Sequence, residues 1–473
     1  MNTETQWSGM FWSPADGRRS RGELSSDDRC FNLKLTSDVV TSLTRSISHQ
    51  GSEAMVLVTP EPAMVVADFE PRVLHGELDD GTVVTILDGH LDSGLFGGQS
   101  FSAHRLIWGG HLPDSPTFSS VRFAPPGHRG WRGLVGEASC GDAVPRGRLK
   151  GSEEGSTHLV EYECEEALTL SSAESLIWNS ASALMSLWCN QALHPSSVQL
   201  RQTATSPWLT LDTSGLRNSG KNDIRDPLLP PARMTLQLLA DWLDLAARIS
   251  PVHYIISSSG GSGTSIQVQV LALASALEGL HRKTRPEQNF FESLSPSVMK
   301  SVRKAATDAA LARLEEVRFD AVEEARVRIR QSLAHMGQTT LADRLLPLAE
   351  QASRVAPGLL GPSLEKWVTG LKDARNDEGH QLEAVSEFGA EKFDPYYQYL
   401  VSARWVGCIA LLILAGVSED DLRAALARHT PFHYDLANMD TSLHGWEGSS
   451  LDVFREAVKG WDASPAQSAS VDP

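Results

Sequence analysis

A chain of 473 residues is long enough for two or three domains, each with its own core. Its composition, 41% hydrophobic and 21% charged, is that of an ordinary soluble globular protein. A net charge of −17 argues against broad, sequence-independent nucleic-acid binding, which depends on neutralising phosphates, and leaves a local basic cleft as the route to such a ligand.

Five cysteines (Cys30, Cys140, Cys164, Cys189 and Cys408) are odd in number and scattered, with no Cys-x-x-Cys or Cys/His spacing. Free thiols in a reducing cytosol are therefore expected, with no metal and no cofactor. The N-terminus lacks the basic-then-apolar pattern of a signal peptide. The most apolar run, Trp405 to Val417, is thirteen residues long and bordered by Arg404. A bilayer span needs about 20, so a buried core helix, no membrane contact and a cytoplasmic location are expected.

Residues 1–204 are predicted to form a β-rich domain, a sandwich or barrel-like sheet. Short apolar or alternating runs recur at Phe31–Leu35, Ala54–Val58, Thr82–Leu87 and Leu159–Tyr162, parted by Gly, Pro and Asp clusters. Leu78-Asp79-Asp80-Gly81 is a hairpin-type turn. A helix is predicted over about 171–190 from the stripe Leu176, Ile177, Leu184, Leu187 and Trp188, and a strand over Val198–Ala204. The stretch 205–232, with Asp212-Thr-Ser-Gly and Pro227-Leu-Leu-Pro-Pro231, is expected to be a linker that buries little surface.

Residues 233–460 are predicted to be a helical domain, making the chain an α+β multidomain protein. Leu236, Leu239, Leu243 and Ala246 give the first stripe. The Ser/Gly segment Ser257–Thr264 separates it from an apolar helix over Ile266–Leu280. A charged amphipathic stretch over about 296–335 follows, with Val298, Val302, Ala305 and Ala309 expected on its buried face. A segment over Thr340–Val355 comes next. Leu364, Trp367, Val368 and Leu371 then mark a helix with one buried face. A break is expected at Phe393-Asp394-Pro395, then the apolar segment from Tyr396, then a helix capped by Ser418 with Asp421. The tail, 461–473, is Ala/Ser/Pro-rich and expected to be disordered.

The chemistry concentrates in Arg375-Asn376-Asp377-Glu378-Gly379-His380. Arg375 can fork two hydrogen bonds onto phosphate oxygens and stays charged at all relevant pH. His380 has the intrinsic pKa of a base or acid near neutrality. Asn376 can orient the histidine or a phosphate, and Asp377 can hold an imidazole tautomer. Residues five apart on a regular helix lie about 140° apart, so Arg375 and His380 share a face only where the helix breaks or the arginine wraps round. Gly379 makes such an irregularity possible. An ordinary polar loop with surface ion pairs is the bland alternative. Arg326, Arg328 and Arg330 with Arg303 and Lys304 fit a solvated mixed-charge face better than a phosphate surface.

Three other patterns carry no chemistry. Ser297-Val-Met-Lys300 lacks the companion elements of its acyl-transfer class, and Ser257–Thr264 lacks the Gly-Lys-Ser/Thr of a P-loop. His104, His111 and His128 with Asp114 follow no metal-ligand spacing.

An Arg-Asn pair with a histidine five residues after the arginine resembles the Arg-x4-6-His motif of the HEPN superfamily, four-helix-bundle proteins of which many are metal-independent ribonucleases. Upstream, Gly9-Met-Phe-Trp-Ser-Pro14, Arg21-Gly-Glu-Leu24, Leu74-His-Gly76 and Leu106-Ile-Trp-Gly109 fall in order as in the N-terminal domain of ApeA-like proteins. In that family a β-rich module precedes a HEPN domain. Leu277-Glu278-Gly-Leu-His-Arg282, ending the helix Ile266–Leu280, resembles the acidic position of the earlier HEPN helix that faces the motif, which implies Glu278 as a partner for Arg375; a solvated helix end is the bland alternative. The resemblance implies an endoribonuclease of abortive anti-phage defence with Arg375, Asn376 and His380 as catalytic residues, a homodimer sharing a composite site, an RNA substrate with transfer RNA as a candidate, and a phage-derived trigger. Rival readings are a non-catalytic HEPN dimerisation or nucleotide-binding module, which the acidic balance favours, and a ligand receptor whose tryptophan-rich β domain offers an aromatic-walled cleft.

Overall fold

The computed structural model describes residues 5–27, 30–40, 71–93, 98–127, 130–154, 157–213, 224–259, 264–285, 291, 293–334, 336–380, 390–442 and 450–459. Two compact units divide the chain, one of residues 1–250 with 414–416, the other of residues 251–413 with 417–473.

The first unit is β-rich, as expected. Its strands are β1 (Thr5–Trp12), β2 (Arg19–Ser26), β3 (Phe31–Leu35), β4 (Arg72–Leu78), β5 (Val83–Ser93), β6 (Ser100–Ala103), β7 (Arg105–Trp108), β8 (Thr117–Ala124), β9 (Gly136–Cys140), β10 (Gly147–Glu154), β11 (Thr157–Thr169), β12 (Ser197–Arg201) and β13 (Leu209–Thr213). They form one antiparallel sheet in the order β4-β1-β2-β3-β6-β5-β7-β13-β12-β8-β11-β10-β9, and β4 also pairs with β5. That extra pairing closes six strands into a barrel, and β5 makes it possible. Its first half pairs with β4 and β7 and its second half, from His90, with β6. Asp88, at φ +55°, lies between the two halves.

Alternation directs Phe11, Leu24, Leu33, Leu74, Val84, Ile86 and Phe101 into one cluster. Phe11 fits because its neighbours are glycines. A Cβ on Gly76 would stand 2.6 Å from the Phe11 ring, and one on Gly22 would stand 3.2 Å from it. The predicted turn joins β4 to β5: Gly81 takes φ +83° and donates its N–H to the Leu78 carbonyl at 2.9 Å, while Asp80 Oδ1 accepts the Thr82 N–H at 2.8 Å. The expected strand at Ala54–Val58 lies outside the described residues.

The stretch read as a linker is partly structured. β13 pairs with both β12 and β7, and Leu228 and Leu229 are buried. Averaged composition hides a five-residue strand whose Leu209 and Leu211 point inward. It also hides the Leu229 N–H to Trp188 carbonyl bond at 2.9 Å and the Trp188 Nε1–H to Pro230 carbonyl bond at 3.0 Å. A short turn α1 (Leu170–Ala173), a π-turn (Glu174–Trp178) and α2 (Asn179–Cys189) realise the predicted helix. α3 (Leu236–Ile249) packs on β9, β10 and α2. Trp242 donates to the Ser180 carbonyl at 2.7 Å. Asp244 accepts from the N–H groups of Gly141, Ala143 and Val144. Burial alone would raise its pKa; those donors outweigh that and hold the carboxyl below its ordinary range.

The second unit is helical: α4 (Val252–Ser258), α5 (Ile266–Thr284), α6 (Pro296–Glu316), α7 (Val322–Ala334), α8 (Leu341–Val355), α9 (Leu364–His380), α10 (Ala390–Leu414), α11 (Glu419–Leu426), α12 (Thr430–Ser442) and α13 (Ser450–Val458). α5, α8 and α9 pack on one another. Side-chain caps start several of them. Ser265, Ser295 and Thr340 each accept an N–H of the first turn, and Ser418 accepts that of Asp421 as expected.

Two details depart from expectation. The stretch 296–335 is a hairpin of two helices in which Thr307 and Leu311 are buried, while Val298 and Val302 are exposed. Its apolar residues are too sparse for periodicity to pick the buried face. The break at Phe393–Pro395 is absent, because α10 runs through Pro395, whose missing N–H removes one hydrogen bond near the helix start. The segment Phe393–Leu414 is long and apolar enough to cross a membrane, yet 67% of its most apolar window is buried inside the protein. Trp405, Val406 and Ile409 to Leu412 make it a core helix. The tail 461–473 lies outside the described residues.

Candidate functional site

α9 carries the polar hexapeptide because its other face is apolar. Trp367, Val368, Leu371 and Ala374 are buried, one stripe at helical spacing. The Trp367 indole N–H donates to Ser402 Oγ at 2.8 Å, tying α9 to α10. Gly370 lets Tyr399 of α10 lie close; a Cβ there would overlap the tyrosine hydroxyl. Burial, with the nearby Asp373 carboxylate adding to it, raises the pKa of that hydroxyl. The backbone stays helical through His380, so positions 375 and 380 stand about 140° apart around the axis.

Arg375 follows the buried stripe and points toward α5. There Leu273, Leu277 and Leu280 face the core, and Glu278 lies at the stripe's edge with its side chain 15% exposed. Its carboxylate gathers three guanidinium groups. Arg344 of α8 donates to Oε1 at 2.9 Å and Arg282 reaches the same oxygen at 2.8 Å, while Arg375 stands 3.8 Å from Oε2. Arg344 is 7% exposed, Arg375 36% and Arg282 52%. Arg375 also donates to Asn376 Oδ1 at 3.2 Å, and its Nε is buried without an acceptor among the described residues.

Among the described residues one carboxylate thus faces three permanent cations, in a protein whose net charge is −17. His281 lies one helical turn from Glu278. Burial lowers its pKa, and the charges of Arg285 and Arg344 lower it further. The chemistry this arrangement supports is the holding of an anion.

The pairing of Glu278 with Arg375 expected from the sequence is present, and Asn376 is bound to the arginine. Asp377 is exposed. The side chains of Glu378, Gly379 and His380 lie outside the described residues. Arg344 escaped the sequence reading, although it left a signal: a charge on the same face of α8 as Leu341, Leu345, Leu348 and Ala352, all but Leu341 buried. A cation in an apolar stripe needs a buried partner. The basic residues of α6 and α7 form the solvated mixed-charge face expected, with Lys304 on Asp308 and Arg326 on Glu323, while Arg303 donates to the Ala334 carbonyl.

Elsewhere, Ser297 lies in the first turn of α6 beside its cap Ser295. Residues 260–263 of the Ser/Gly segment and His128 lie outside the described residues. His111 stacks on His75 at 4.5 Å, each bound through Nε2 to a backbone carbonyl. Among the described residues no three His, Cys, Asp or Glu side chains converge as metal ligands. A cleft of about 660 Å³ in the first unit is lined by Asp142, Glu163, Asp241, Asp244, Arg146 and Arg148, among others, with no aromatic wall. It lacks the aromatic character expected of the ligand-receptor reading.

Residues 6–179 match the family described as ApeA N-terminal domain 1, and residues 271–421 match the family described as Apea-like HEPN. All four residues of the arginine cluster fall inside the second match. No curated protein and no solved structure matches the chain.

Proposed function

Taking the chain as the ApeA-like protein that its two family matches make it, we propose that it is a metal-independent endoribonuclease of abortive anti-phage defence, with its site on α9. The family supports the broader statement, a HEPN-type anti-phage defence protein. The observation that supports the finer one is Arg375, on the helix bearing the Arg-Asn-x3-His motif, placed beside the largely buried Glu278 carboxylate.

In this reading a base removes the 2′-hydroxyl proton, the 2′-oxygen bonds to phosphorus, and the P–O5′ bond breaks as an acid protonates the leaving oxygen. The ends are a 2′,3′-cyclic phosphate and a 5′-hydroxyl. Arg375 stabilises the charge that builds on the phosphorane oxygens. Asn376 steadies its guanidinium, and His380 supplies proton transfer. One imidazole does not serve readily as base and acid at once, so two chains bring two motifs to one cleft as a homodimer. The first unit is assigned the part of sensor or restraint, since an unrestrained ribonuclease would damage its own host. Transfer RNA is the first substrate to try.

Purified protein incubated with total transfer and ribosomal RNA in EDTA tests the chemistry. Discrete fragments bearing cyclic-phosphate ends are expected. Fragments with 3′-hydroxyl ends, or cleavage that EDTA abolishes, would contradict it. The non-catalytic rival, favoured by the acidic charge balance, predicts binding or dimerisation with intact RNA, including in extract of infected cells.

A further inference from the structure

Among the described residues the cluster sets three guanidiniums around one carboxylate, and the three are held unequally. Arg344 is the most buried, and its 2.9 Å bond to Glu278 is the least screened by water. It therefore neutralises the carboxylate. Among the described residues, Arg282 and Arg375, from two different helices, share the solvent edge of that one carboxylate and have no second acidic partner. Among the described residues Arg375 is held loosely, with its ion pair at 3.8 Å, a bond to its neighbour Asn376, and Nε lacking an acceptor. Two part-exposed guanidiniums sharing one carboxylate on a frame of three packed helices match the spread-out charge of a phosphodiester.

We propose that Arg282 and Arg375 jointly seat one phosphodiester of an RNA strand, with Arg344 as the positioning residue that neutralises Glu278 and leaves both guanidiniums available. This rests on the ribonuclease reading for its ligand and adds Arg282 and Arg344 to the site.

The test is fluorescence anisotropy of the full-length chain with a labelled single-stranded 2′-O-methyl RNA, which binds but lacks the nucleophile, across a series of salt concentrations. Arg282→Gln is expected to weaken binding about fivefold and to reduce the slope of log K against log salt by about 0.7, one phosphate contact on a single strand. Arg282→Lys should keep the slope, and Arg313→Gln, exposed on α6, should change neither. Arg282→Gln with wild-type affinity and slope, or a wild-type chain that does not bind the probe, overturns the seat. Cleavage of natural RNA, scored separately, distinguishes the two claims. A wild-type slope in Arg282→Gln with cleavage intact removes the seat and spares the ribonuclease. A reduced slope in a chain that cuts nothing keeps the seat and counts against the ribonuclease.

Discussion

Glu278 and Arg344 form a 2.9 Å ion pair between α5 and α8 with side chains only 15% and 7% exposed. Arg375 of α9 approaches the same carboxylate. One acidic side chain therefore joins three helices at the point where the motif begins. Removing one partner of such a pair leaves a buried charge uncompensated, at a cost of about 3–5 kcal/mol. Arg344→Gln should fall at the low end, since Arg282 still bonds Glu278. Glu278→Gln should cost more, because it leaves three cations together. Urea unfolding of the two variants measures this; equal and negligible losses would show that the cluster does not hold the helices.

The close approach of α9 to α10 gives a second prediction. Alanine is favoured over glycine in a helix by about 1 kcal/mol, yet Gly370→Ala should destabilise by about 1–3 kcal/mol, because the new methyl meets the Tyr399 hydroxyl. Combining it with Tyr399→Phe should recover part of the loss. A stabilised Gly370→Ala variant would show that the helices are less tightly apposed than described here.

Acid should destabilise the protein through its histidines. Burial lowers the pKa of His253 from 6.5 to about 4, and burial also lowers His75, His281 and His433. A histidine whose folded pKa is depressed costs nothing above the unfolded value. Below about 6.5 the unfolded chain takes up a proton that the folded one refuses, so stability falls until about pH 4. For His253, 1% exposed, the loss reaches about 3 kcal/mol at most. Melting temperature between pH 7 and pH 4 should drop, with a shallower slope for His253→Asn referenced to its own value at pH 7. A parallel slope would remove His253 as a cause.

Truncation should depend on which side of α3 it falls. Leu239, Trp242 and Leu243 are buried in the first unit, where α3 packs on β9 and β10. A fragment beginning at residue 221 carries that apolar face without its sheet and is expected to aggregate. One beginning at residue 251 is expected to stay in solution and to show altered toxicity if the first unit restrains the second. Size-exclusion chromatography of the two, with growth of cells expressing them, decides the matter.

Much of this arrangement was legible in the sequence. The strands at Phe31–Leu35 and Thr82–Leu87, the Asp80-Gly81 turn and the stripe Trp367–Leu371 follow from local periodicity and turn chemistry. The pairing of Glu278 with Arg375 was accessible from family resemblance. Three features were not. The barrel closes because β5 turns at Asp88 and pairs in two directions, a long-range event. β13 is short and surrounded by linker-like composition. Arg344 bonds a carboxylate 66 positions away, and no local pattern supplies that partner.

Metal-free RNA cleavage at the motif on α9 is tested most directly by incubating wild-type protein, Arg375→Ala and His380→Ala with total transfer RNA in EDTA and resolving the products on a gel. Discrete fragments with 2′,3′-cyclic-phosphate ends from the wild type, and none from either variant, are the predicted result. Cleavage that persists undiminished in both variants would contradict it and place the activity elsewhere.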